Sequence, residues 1–408
     1  MGHFILKRRS LKKIAGGILW LGCLVGLTMG YYKERSQLPT VLYGEVSTEW
    51  NNIISISEKN GSHQVSMVDN ASSTNAKMME YRLFGFLPIK EVMVSQPSER
   101  QVYPGGEIVG IYGKTTGVLV LGTGNVTASD GTLQSPVKDV LREGDYILEI
   151  DGNPVNTKAE LIKSIQEAEH EILELTYMRD GEKKEKQIHA VRNGNGEKMI
   201  GAWIKDDMAG IGTISYVDEE GNYGSLGHGI GSTGPDDIMS MEGGTLYEVE
   251  LIGIDRGQKG TPGQIKGRLH YGLNNRMGLI EKNTSIGVYG KVNSSVMEDY
   301  REEKALIPIG YKQEIELGKA FIYSEVSGEL KAYQIEIMDL DFDENHHNKS
   351  IIFKVTDEGL LKETGGIIQG MSGSPIIQNG KIVGAVTHVL INNPSRGYGI
   401  FIENMLEQ

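Results

Sequence analysis

The sequence predicts a mainly β protein: a β-rich body of roughly 210 residues, a smaller α+β unit ahead of it, and one N-terminal membrane helix. Three observations carry this. Glycine makes up 54 of the 408 residues and proline only 11; the usual glycine share is roughly 7%, and such an excess favours tight turns and bulges between short strands. Beyond Met199, eight apolar runs between Leu246 and Ile402, broken by glycines and with little helical periodicity, read as strands of a barrel or sandwich. Ile14–Tyr32 is a run without a charged residue, long enough to span a bilayer. The composition, 39% hydrophobic and 23% charged, excludes wholesale disorder, a fibre and a polytopic membrane protein. At roughly 150 residues per domain the chain holds two or three folded units. A net charge of −13 argues against nucleic acid as a partner, which calls for clustered positive charge. The single cysteine excludes an intramolecular disulfide and a cysteine-based zinc cluster; no metal or cofactor is expected.

Residues 1–13 form a basic segment with Lys7, Arg8, Arg9, Lys12 and Lys13, which places the N-terminus in the cytoplasm and exports everything beyond the span. Residues 14–32 are read as a signal-anchor helix, because at about 1.5 Å per residue they reach roughly 28 Å, close to the ~30 Å hydrocarbon core. A cleaved signal peptide is the main rival, but no small-x-small site follows the run. Cys23 lies inside the span. Residues 33–100 read as linker with one or two short strands around Tyr81–Gln96. Residues 101–195 read as the α+β unit: Thr157 and Glu160 make a capping box, Leu161, Ile162, Ile165 and Ala168 follow at helical spacing, and Leu141 to Gly152 is a strand closed by an Asp-Gly turn. Residues 196–408 are the β-rich body.

The pattern Leu141-x-x-Gly144-Asp145, then Ile147-Leu148-x-Ile150-Asp151-Gly152 and a helix, resembles a PDZ domain. The resemblance implies an edge to which an extended peptide adds as a strand, and it puts Val109, Gly110 and Ile111 where the carboxylate-cradling backbone of that family lies, ahead of Gly117–Leu121. The plainer reading is a spacer domain.

The most informative string is Gly370-Met371-Ser372-Gly373-Ser374-Pro375, followed by a hairpin turn at Asn379-Gly380. A serine between two glycines on a tight bend presents its hydroxyl outward, and the unhindered backbone can aim amides at one point, the parts of an oxyanion hole. This stretch resembles the nucleophile loop of chymotrypsin-fold serine proteases, with Ser374 in place of the family's second glycine. The resemblance implies a double β-barrel, Ser372 as nucleophile and the Gly370 and Ser372 amides as the oxyanion hole. Met371 departs from it, since the digestive enzymes carry aspartate there, and Gly366 stands where trypsin-like enzymes carry an acidic specificity residue.

A serine nucleophile needs a base. His228, in Gly227-His228-Gly229 and 144 residues before Ser372, is the choice. His270 reads as a strand residue, His346 and His347 as exposed, and His388 as a specificity or structural residue on the strand after the nucleophile. For the acid, Asp339, Asp341, Asp343 and Asp357 compete; Asp357, fifteen residues before Ser372, can equally be the N-cap of a short helix.

Anchor, PDZ-like unit, Gly-His-Gly, Thr356-Asp357 and Gly365-Gly366-Ile-x-Gln-Gly-Met-Ser-Gly-Ser-Pro together resemble the SpoIVB peptidase family of spore-forming bacteria. That resemblance implies the triad His228, Asp357, Ser372. It further implies an enzyme in the forespore membrane, facing the intermembrane space. There it would cleave itself and a membrane-bound regulator of an intramembrane protease, switching on a late sigma factor. The alternative from another class is an inactive, membrane-tethered peptide-binding scaffold.

Overall fold

The computed structural model describes residues 25–408 except 27, 45, 59–64, 70–71, 97–99 and 232–237. The basic segment and residues 14–24 of the expected span therefore lie outside the described residues. Residues 28–36 are helical, and among the described residues no helix is long and apolar enough to cross a membrane.

The chain divides into two compact units. The first takes residues up to Glu99 with Tyr311–Glu314 and Leu340–Ser350. Its strands are β1 (Val41–Tyr43), β2 (Ile54–Glu58), β3 (Val65–Asp69), β4 (Ser72–Leu83) and β5 (Leu87–Ser95), in the sheet order β1-β5-β4-β2 with β3 on β4. Alternate residues point to one face of a strand, so Ile54 and Ile56 share a buried core with Tyr81 and Val92, joined by Leu38, Leu42 and, next to the register shift between Tyr81 and Arg82, Ile89. The expected linker is thus a folded sheet with its own core. Polarity of the exposed faces hides it in the sequence. The unit also claims two of the competing acids: Asp341 accepts from Gln37 Nε2 at 2.7 Å, and Asp343 caps a 3-10 turn through Asn345 N.

The second unit carries two closed rings of six strands. In the first, Ile108–Thr123 pairs with Met241–Asp255, then Arg276–Thr284, Gly287–Val292, Asn222–Ser225 and Ala202–Val217, which returns to the starting strand. The second runs through Gly318–Ser324, Lys331–Leu340, Ile351–Val355, Arg396–Phe401, Lys381–Val389 and Pro375–Gln378. Closure leaves neither ring an unpaired edge. The Asn379-Gly380 turn takes φ of 51° and 75°, the two positive values a type I′ hairpin requires.

The α+β unit is inserted into the first ring, whose first strand precedes it in the chain. Gln101–Pro104 pairs with the Tyr216–Val217 end of a ring strand, and the first half of Ile108–Thr123 belongs to the ring. The chain leaves between Ile108–Thr123 and Ala202–Val217, and the far halves of those two strands extend into the insert. Neighbouring side chains on a strand face opposite ways, so Leu119 enters the ring core while Val118 and Val120 enter the insert's core with Leu161, Ile165 and Leu175. The helix Lys158–Glu167 starts with the expected capping box. Asp145 of the Gly-Asp pair is buried, and the Arg179 guanidinium donates to both its oxygens, at 2.7 and 2.5 Å.

Candidate active site

Ser372 sits on the bend leading into Pro375–Gln378 of the second ring. The bend is pinned from both sides. Thr213 N donates to Ser372 O at 2.9 Å, Thr213 Oγ1 donates to Gly370 O at 2.8 Å, and Gly373 N donates to Val386 O at 2.7 Å. Gly373 has φ +100°, and a Cβ there would lie 1.9 Å from Thr213 O, so only glycine fits. The amides of Met371 and Ser374 are spent internally, on Ile368 O and Met371 O. Those of Gly370 and Ser372 donate to no described residue, the condition for two donors that face a developing oxyanion. Met371 is fully buried, as packing rather than as a charged partner.

His228 follows the ring strand Asn222–Ser225. Leu226 before it has φ +67°, a left-handed conformation that costs a non-glycine residue roughly 1–3 kcal/mol and turns the chain sharply toward the second ring. Nδ1 of His228 lies 2.8 Å from Gly229 O. A carbonyl only accepts, so Nδ1 carries the proton and Nε2 is left with its lone pair, the tautomer a general base needs. Burial is the main cause that lowers the imidazole's pKa from its ordinary value; the Gly229 carbonyl works against it.

His228 and Ser372 line one cavity of about 650 Å³. Its other walls include Ile111, Ile211, Ile368 and Ile391, and no charged residue lines it among the described residues. In the resting arrangement the Ser372 hydroxyl donates to Thr387 O at 2.7 Å. The His228 ring packs against His388, centroids 5.0 Å apart.

Asp357 is not brought to this cavity. It is the N-cap of the helix Glu358–Thr364: Oδ1 accepts from Leu360 N at 2.9 Å, and Gln334 N approaches Oδ2 at 3.4 Å. In this geometry Asp357 caps a helix, and the partner of His228 Nδ1 is the Gly229 carbonyl. Gly366 serves packing, since a Cβ there would meet Pro394 O at 2.1 Å.

The residues expected as a carboxylate cradle are strand residues. Val109, Gly110 and Ile111 lie within a strand paired on one side with Gly210–Gly212 and on the other with Leu246–Glu248, so their backbone is already spent. The insert has a different groove, about 670 Å³, between Leu161, Ile162 and Ile165 of its helix and Ile200–Ile204. Ile162 is half-exposed there and Trp203 is 70% exposed.

Two further residues bear on the site. Thr387 holds the serine hydroxyl. Asn283, near the end of the ring strand Arg276–Thr284, accepts from Ile230 N at 2.9 Å and donates to Ile230 O and Met239 O at 3.0 and 2.9 Å, fastening the segment after His228. Its sequence neighbours give no sign of this, because the partners are more than forty residues away.

Comparison with known proteins agrees on the body of the chain. Residues 196–406 match the family SpoIVB peptidase S55. No curated protein matches. Among solved structures, the PDZ domain of an SdrC-like protein from Listeria monocytogenes is 26% identical, covering 22% of this chain and 87% of that one, with a TM-score of 0.18. Because the family match spans just over half of the 408 residues, the chain belongs to the SpoIVB peptidase S55 family, a family of sporulation serine peptidases.

Proposed function

We propose that the protein is a serine endopeptidase in which Ser372 is the nucleophile and His228 the base, working between two rings arranged as in chymotrypsin-like enzymes. The observation that carries this is the shared cavity: Ser372 and His228 both line it, and beside it the Gly370 and Ser372 amides donate to no described residue. Substrate entry displaces the Ser372 hydroxyl from Thr387 O toward His228 Nε2. The serine oxygen attacks the scissile carbonyl as His228 takes its proton; the two amides hold the oxyanion; His228 returns the proton to the leaving amine, and water then releases the acyl-enzyme. Apolar walls favour an apolar side chain beside the cut bond, and among the described lining residues none offers lysine or arginine a charged partner.

Family membership supports the wider reading: an anchored enzyme of the forespore membrane that cleaves itself and a membrane-bound regulator of an intramembrane protease. The insert supports a second role, capture of an extended apolar peptide. Its groove has an open edge along Ala202–Ile204, which pairs on one side only among the described residues. A fluorophosphonate probe should label the wild type and not Ser372→Ala, and mass spectrometry should find self-cleavage products only in the wild type. Equal labelling of both, or no labelling with substrate left uncut, overturns the reading in favour of an inactive scaffold.

A further inference from the structure

The first unit ends in an apolar tip that no core explains. At the turn between β4 and β5, Phe84 and Phe86 are 65% and 72% exposed, Leu87 is 47% and Ile53 42%. The two rings stack on each other 6.4 Å apart. Phe84 N donates to Ile53 O at 2.7 Å, which ties the backbone at Ile53 to the turn. A cluster of this kind on a secreted surface marks an interaction site.

The sheet topology says what lies beside it. β1 runs parallel to β5, with Val41 opposite Met93 and Tyr43 opposite Ser95. The chain before Val41 therefore comes in from the end at which β5 begins, the end that carries the tip. Lys90, three residues beyond Leu87, donates its ammonium to Leu38 O. Tyr31 packs on the same core as Leu83. The chain that joins the helix at 28–36 to β1 thus runs along β5 from the tip side, and the apolar run Ile14–Tyr32 precedes it in the sequence. Exposed Lys33 and Arg35 sit at the junction, where basic side chains meet lipid headgroups.

We propose that the Phe84–Leu87 tip dips into the bilayer interface beside the anchor, so that the first unit stands on the membrane at two points. This rests on the membrane-anchor reading of residues 14–32. Aromatic side chains favour that interface, and a second contact sets the sheet's tilt, which one helix cannot do.

The test uses the full chain in vesicles of phosphatidylethanolamine and phosphatidylglycerol with a nitroxide on single cysteines. The native Cys23 reports the anchor. Phe86→Cys and Leu87→Cys, each in a Cys23→Ser background, report the tip, and Lys186→Cys on an exposed strand is the water reference. Oxygen collisions relative to those of a water-soluble nickel chelate should be several-fold higher at 86 and 87 than at 186. Values at 86 and 87 equal to the reference overturn the proposal, and if Cys23 is still immersed the anchor reading stands without it. Immersed tips with a water-exposed Cys23 support the tip contact and remove the anchor. Dipolar broadening between labels at 86, with no lipid contact, makes a second copy the occupant and overturns the membrane assignment.

Discussion

Asp357 caps its helix through Oδ1, and asparagine caps about as well as aspartate. Asp357→Asn thus removes a charge and keeps the cap, whereas Asp357→Ala loses the cap at a cost of about 1 kcal/mol. In the geometry described, Asp357→Asn keeps near-normal turnover and thermal stability, and Asp357→Ala lowers stability more than rate. A fall of about 10⁴ in kcat for Asp357→Asn, the penalty for losing a triad acid, would show that the helix moves to deliver its carboxylate to His228. The pH profile probes the same question. His228 is a base only when neutral, and burial lowers its pKa, so kcat/KM should rise with pH through an inflection below the ordinary value of about 6.5. An inflection at or above that value would reveal a carboxylate holding the imidazolium. Ser372 is legible in the sequence because its flanking glycines and the Asn379-Gly380 turn are local signals. His228's orienting partner is not, because helix N-cap and triad acid read alike until the backbone is placed.

Among the connecting elements, the nucleophile bend gives the sharpest contrast. Gly373 and Gly380 both have positive φ, but a Cβ on Gly373 meets the Thr213 and Leu226 backbone, while one on Gly380 meets nothing within 4 Å. Gly380→Ala should cost only the left-handed penalty of roughly 1–2 kcal/mol and leave Ser372 labelling intact. Gly373→Ala must in addition push Thr213 away, breaking the bonds that pin Ser372 O and Gly370 O, so labelling should be lost even where circular dichroism shows the fold retained. Equal labelling of the two variants would mean that the bend is not held from the first ring. The strands beyond Leu246 are legible from their apolar runs. Ala202–Val217 is not, because Lys205, Asp206 and Asp207 interrupt its alternation where the strand passes from the insert to the ring.

For the second unit as a whole, nesting one fold inside another is invisible to a reading that moves along the chain, since each half of Ile108–Thr123 looks like part of whatever follows it. The pairing Lys114 with Asp207 closes the ring before the insert begins. The ring therefore needs the insert only for the side chains it lends to the core, chiefly Leu119 and Tyr146. Core truncations of large apolar residues cost roughly 2–5 kcal/mol each, and at about 2–4 °C per kcal/mol for domains of 150–250 residues the melting temperature should drop well below that of the intact chain. Replacing 115–206 with an Asn-Gly turn should still give a folded protein whose Ser372 reacts with the fluorophosphonate, because Ile111 and the strand Met208–Ile211 that wall the cavity stay in place. Cleavage of long substrates should weaken more than probe labelling, since the groove at Ile200–Ile204 goes with the insert. A folded variant that no longer takes the probe would show instead that the insert holds the catalytic cavity open through the two strands it shares with the ring.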